Sequence, residues 1–272
     1  MFGWFRRKPT CPVAPAARAW LESRTRWLVA EFGLAAARNA VMVLPLPEFF
    51  PDEYDGSRES GRLLFDRVCR YMRIEPGSVR LHFFDAHDSL SLLNRRFDRL
   101  EGALGVYYAG ARSIRIDDRT LQDPLTLVAV AAHELSHFLL LGQGRVSRHE
   151  PDHEKITDLL TVYLGFGVFI GNARVAWQPA PPADTEGRSA EQLEYMGQAE
   201  VGYALALWAR LRQETNPAWA ASLCTDVRAY FTQSVAWLAA EGESGLDTMT
   251  GSPELSSNDE TPPDFEKRKQ WR

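Results

Sequence analysis

The reading of the fold turns on one stretch, DPLTLVAVAAHELSHFLLLG, residues 123–142. Asp123 suits a helix start, because its short carboxylate can accept from amides that have no partner in the first turn. Pro124 has no N–H to lose at that place. The body that follows is apolar almost all round, which predicts a central, buried helix over 124–141. Gly142 and Gly144 stop it. Within that apolar body stand His133, Glu134 and His137. Burying such groups is costly unless something compensates, so packing alone gives no reason for the trio.

Working outward, Trp20, Leu21, Trp27, Leu28 and Phe32 recur near helical spacing and predict a helix over 14–38. Three prolines make 44–57 a loop. A second helix follows at 58–73, with Leu64, Val68, Tyr71 and Met72 as its inner stripe and Pro76-Gly77 beyond its end. The period then changes to two. Residues 79–83, 105–109 and 113–117 read as strands, the last two joined by a turn through Ala109-Gly110-Ala111. Beyond the central helix, 152–170, 189–213 and 217–240 read as helices, with a polar, proline-rich connection at 178–188. The expected fold class is α+β: a small, mostly antiparallel sheet packed on two metal-bearing helices, with a helical C-terminal part. Its expected divisions are a flexible tail at 1–12, a metal-binding domain at 13–177, helices at 189–240 packed on it, and a disordered polar tail at 241–272.

Composition narrows the function classes. The chain has 272 residues, 45% hydrophobic and 25% charged, which suffices for one sizeable core. A formal net charge of -5 gives no electrostatic case for nucleic acid. Cys11, Cys69 and Cys224 are odd in number and form no CxxC pair, so neither a disulfide framework nor a cysteine zinc site is expected. The N-terminus carries no secretion signal pattern, and the chain reads as cytoplasmic. The uncharged run 159–173 is shorter than the ~20 residues that span a bilayer, and reads as a buried helix rather than a transmembrane segment.

His133-Glu134-Leu135-Ser136-His137 is an HExxH pattern. Residues four apart on a helix project from one face, so two imidazoles can converge on one ion. Glu134, roughly 100° round the helix, can reach a water on that ion without ligating it. Zinc lowers the pKa of such a water and a carboxylate can take its proton. A catalytic zinc site needs a third protein ligand. Downstream, Glu154 and Asp158 stand four apart at a helix start. One can bind metal and the other can accept the free N–H of a ligating histidine. His149, His153 and Asp158 itself are rival third ligands. Glu150 and Asp152 suit a helix's first turn.

HExxH followed by ExxxD on the next helix resembles the gluzincin division of the zincin metallopeptidases, over roughly residues 112–170. The resemblance implies a zincin-like fold with zinc held by His133, His137 and Glu154. It further implies Glu134 as general base and Asp158 as the partner that orients a ligand histidine. It implies hydrolysis of a peptide or protein substrate. In that family the edge strand before the motif helix pairs with extended substrate, which implies Ser113, Ile114, Arg115 and Ile116 as a substrate strand. Tyr163, Tyr195, Tyr203 and His149 are candidates for an oxyanion donor. The chain departs from the metzincin extension, with Leu140 and Gln143 where that pattern has Gly and a third His. The segment is also similar to uncharacterised bacterial proteins with a TDLLTVYLGFG tract. Two other readings stay open: a zinc-stabilised interaction or regulatory protein without catalysis, and a metal-free helical scaffold.

Overall fold

The computed structural model describes residues 9–85, 104–176 and 195–241. The expectations for 1–8, for 178–188 and for 242–272 lie outside these residues. The chain is α+β, mostly helical, with one small sheet. The helices are α1 (Pro15–Phe32), α2 (Leu34–Asn39), α3 (Arg58–Tyr71), α4 (Pro124–Leu140), α5 (His153–Thr161), α6 (Gly167–Ala176), α7 (Gln198–Leu211) and α8 (Thr225–Glu241). The strands are β1 (Arg80–Phe84), β2 (Gly105–Tyr108) and β3 (Ser113–Asp117).

Local chemistry explains the boundaries. Asp123 caps α4 as expected, accepting from the Leu125 N–H at 3.1 Å and from the Thr126 hydroxyl at 2.6 Å. Ser57 caps α3 through the Ser60 N–H. The single helix expected over 14–38 is instead two, because Gly33 turns to φ 83° between α1 and α2. The helix expected over 217–240 is preceded by a 3-10 turn at Ala218–Ser222. There the Cys224 N–H is taken by Asn172 Oδ1 at 2.7 Å rather than by a helical carbonyl.

The helix expected over 152–170 is interrupted. Val162–Phe166 forms a wide π-type turn between α5 and α6, with Gly165 at φ 94°. The cause is a close approach. The Val43 N–H donates to the Gly165 carbonyl at 2.9 Å, and a Cβ on Gly165 would stand 2.1 Å from the Val41 oxygen. Only glycine fits both the dihedral and the space. The run His153–Ala173 is long and apolar enough to cross a membrane by length and composition, and 89% of its most apolar 18-residue window is buried inside the fold.

The sheet is mixed, in the order β1-β3-β2. β2 and β3 form the expected antiparallel hairpin, whereas β1 runs parallel to β3. Parallel pairing needs a crossover of a dozen or more residues, and the connection from Phe84 to Ser113, which includes β2, has that length. The expectation of Ser113, Ile114, Arg115 and Ile116 as an edge strand for substrate is therefore wrong. β3 is the central strand, and its backbone groups are engaged by β1 on one side and β2 on the other.

Two apolar cores meet at α4. One joins α3, the sheet and the first two-thirds of α4 with Phe166 and Phe169. The other joins α1, α5, α7 and α8 around Tyr203 and Trp208, so the C-terminal helices do pack on the rest of the chain. The seam between the cores, where α4 crosses α5, holds the ionisable trio.

Candidate metal centre

Three ligand atoms converge at that seam. His133 Nε2 and His137 Nε2 lie 3.1 and 3.2 Å from the same Glu154 oxygen, Oε2. The two imidazole rings stand 4.7 Å apart and nearly perpendicular. Of His133, His137 and Glu154, the histidines are buried and the carboxylate is partly so.

The hydrogen-bond partners behind each ring decide what the front atoms can be. His133 Nδ1 is 3.0 Å from Asp158 Oδ1, a carboxylate oxygen that accepts. His137 Nδ1 is 3.1 Å from the Thr157 hydroxyl. That hydroxyl donates its own proton to the His153 carbonyl at 2.7 Å, so toward His137 it accepts. In their neutral form both rings therefore carry their proton on Nδ1 and turn a lone pair forward from Nε2. Two lone pairs and a carboxylate oxygen then meet with no hydrogen among them. Such a contact needs a positive charge at its centre. A tetrahedral ion with bonds of ~2.0–2.1 Å sets its ligand atoms roughly 3.3 Å apart, which matches the two separations from Glu154. The donor set can hold a divalent metal ion.

The electrostatics carry the same demand. Burial works against the His133 imidazolium, but the Asp158 and Glu154 carboxylates outweigh it and raise the ring to about 10. Burial pushes the Glu154 carboxyl up, yet His133, His137 and His153 hold it well below the ordinary carboxylate range. A proton on His133 is what the cluster takes in place of an ion.

Glu134 lies beside this cluster and outside it. It is 4% exposed, and its Oε2 has no hydrogen-bond partner among the described residues. Burial pushes its carboxyl up, against the pull of His137 and His133. A buried, unpartnered carboxylate oxygen is costly and calls for a further polar group next to it.

The other expected residues sort by position. Asp158 is not a ligand: it is fully buried, with Oδ1 on His133 and Oδ2 on the Met196 N–H at 2.9 Å. His149 is exposed on the loop before α5 and stands outside the cluster. Asp152 stands at the N-cap of α5, but its side chain makes no capping bond. It accepts from Trp20 Nε1 at 2.8 Å and Arg24 Nη2 at 2.7 Å, which pins the start of α5 to α1. Tyr163 and Tyr203 are buried with their hydroxyls committed, to the Gly33 carbonyl and to Glu22. Tyr195 alone of the three tyrosines borders the site, its ring 5.7 Å from that of His133.

Two site residues escaped the sequence reading. Thr157 orients His137 as Asp158 orients His133, and the adjacent TD dipeptide was the available signal. Gly105 is the other. A Cβ there would stand 2.9 Å from Glu134 Cγ, 3.0 Å from its Oε1 and 2.5 Å from Val130 Cγ1. β2 thus passes Glu134 at a distance that only glycine allows. One turn further along, Ser136 Oγ and Thr161 Oγ1 lie 2.9 Å apart and stitch α4 to α5. A separate cavity of about 290 Å³, lined by Leu46, Phe50, Leu64, Val128 and Phe169, contains none of the converging groups, so donor chemistry and not cavity size marks the site.

No protein-family model, curated protein or solved structure matches this chain. The geometry stands on its own.

Proposed function

We propose that the protein is a zinc-dependent hydrolase that cleaves peptide bonds, with His133, His137 and Glu154 as ligands and Glu134 as general base. The observation that carries this is the convergence of two imidazole nitrogens on one carboxylate oxygen beside a buried Glu134 oxygen that has no hydrogen-bond partner among the described residues. Imidazole and carboxylate donors in this number suit zinc with one coordination place left for solvent. Zinc bound there supplies Lewis acidity, lowering the pKa of water and polarising a carbonyl.

The chain's own residues do the rest. Asp158 and Thr157 hold the two rings with their lone pairs forward. Glu134 takes a proton at Oε2 from the attacking water and passes it to the leaving amine. Its raised affinity for a proton, a consequence of burial, suits that role. The strand expected to receive an extended substrate becomes β2, which lies at the edge of the sheet, passes beside Glu134 and gives it the Tyr107 N–H. The division of roles is that of the gluzincins, and the resemblance of HExxH and ExxxD supports it.

Glu134→Gln tests the reading. The variant is expected to keep its metal and to lose roughly 10²–10⁴ in turnover of a peptide substrate. Undiminished peptidase activity would show that the carboxylate has no part in the reaction.

A further inference from the structure

Glu154 has a second oxygen, and its surroundings repeat the pattern of the first. Oε1 lies 3.2 Å from His153 Nε2. The other nitrogen of that ring, Nδ1, is 2.9 Å from the Glu150 carbonyl oxygen. A carbonyl only accepts, so Nδ1 carries the ring proton and Nε2 of the neutral ring presents a lone pair. In the neutral ring two acceptors then face each other at hydrogen-bond distance, and either a proton or a metal ion on Nε2 joins them. His153 does not belong to the first cluster, and its ring stands 6.1 Å from that of His137. It addresses the other oxygen of the carboxylate, and its side chain is 25% exposed.

We propose a second divalent-cation position between Glu154 Oε1 and His153 Nε2, with the Glu154 carboxylate bridging two ions. The proposal rests on the reading of His133, His137 and Glu154 as the first metal site. One imidazole, one carboxylate oxygen and solvent suit zinc or a neighbouring borderline ion. Two protein ligands against three make this the weaker position, filled when the cation is in excess. Bridged ions of this kind sit a few ångströms apart, close enough for the second to change turnover at the first. The lead-in to α5 favours the arrangement, since Asp152, bound to Trp20 and Arg24, fixes the residue just before His153.

The test is a titration of chelator-stripped, full-length protein with Zn²⁺ by calorimetry, and with Mn²⁺ by electron paramagnetic resonance. The wild type is expected to bind in two classes, the second weaker by roughly tenfold or more. The second equivalent of Mn²⁺ should broaden the signal of the first. His153→Ala should lose the weak class and the broadening while keeping the tight class, and His153→Gln serves as a second variant should the first fold poorly. A single class in wild type, or a weak class that survives both substitutions, overturns the second position and leaves the first standing. Absence of any binding overturns both.

Discussion

The carboxylate of Asp158 accepts a hydrogen bond from His133 Nδ1 at 3.0 Å and so turns that ring's Nε2 toward Glu154. In the proposed metal site, a group that would not touch the ion thus decides whether His133 can offer a ligand nitrogen. Asp158→Asn keeps the shape but offers an amide where a carboxylate accepted. It should weaken metal affinity about 10–100-fold, read by competition with a chelator. Unaltered affinity would mean that His133 finds its orientation elsewhere.

Thr157 gives His137 the same service with a neutral oxygen, so its removal should cost less. Thr157→Val keeps the branched volume and deletes the acceptor. The expected loss in metal affinity is about tenfold, at the low end for such outer partners. A loss larger than that of Asp158→Asn would reverse the ranking of the two supports.

Gly105→Ala forces a methyl against Val130 and Glu134. Overpacking of this kind costs about 1–3 kcal/mol, measurable by urea unfolding. Because the methyl meets Glu134 itself, turnover should fall while metal content stays. A variant equally active and equally stable would show that β2 can move away at no cost.

The pH dependence follows from His133. In metal-free protein its folded pKa is raised to about 10 from an ordinary 6.5. A raised pKa means that the folded state holds the proton more tightly than the unfolded chain. The stability this contributes is fully present below about pH 6.5 and is lost as pH rises toward about 10. Chelated protein should therefore become less stable across that window. Protein saturated with zinc should lose less, because the ion replaces the proton. Equal pH profiles with and without metal would contradict the assignment.

Much of the site was legible because it lies on one helix. Asp123, Pro124 and Gly142 bound α4, and i,i+4 spacing puts His133 and His137 on one face whatever the rest of the chain does. Glu154 and Asp158 were legible for the same reason on α5. Relations between distant segments were not. Nothing in Ser113–Asp117 says that β1 will pair with it across the connection 85–112, so an alternating strand reads as an edge. The break at Gly165 depends on Val41 and Val43, more than a hundred residues earlier. Gly105 reads as an ordinary strand start until Glu134 is seen against it.

The central claim is that His133, His137 and Glu154 hold one divalent cation, and elemental analysis of purified, desalted protein tests it most directly. About one zinc per chain is expected in the wild type, with the metal lost from His137→Ala and from Glu154→Ala. Protein that folds normally with only trace metal, or variants that keep the wild-type content, would contradict it.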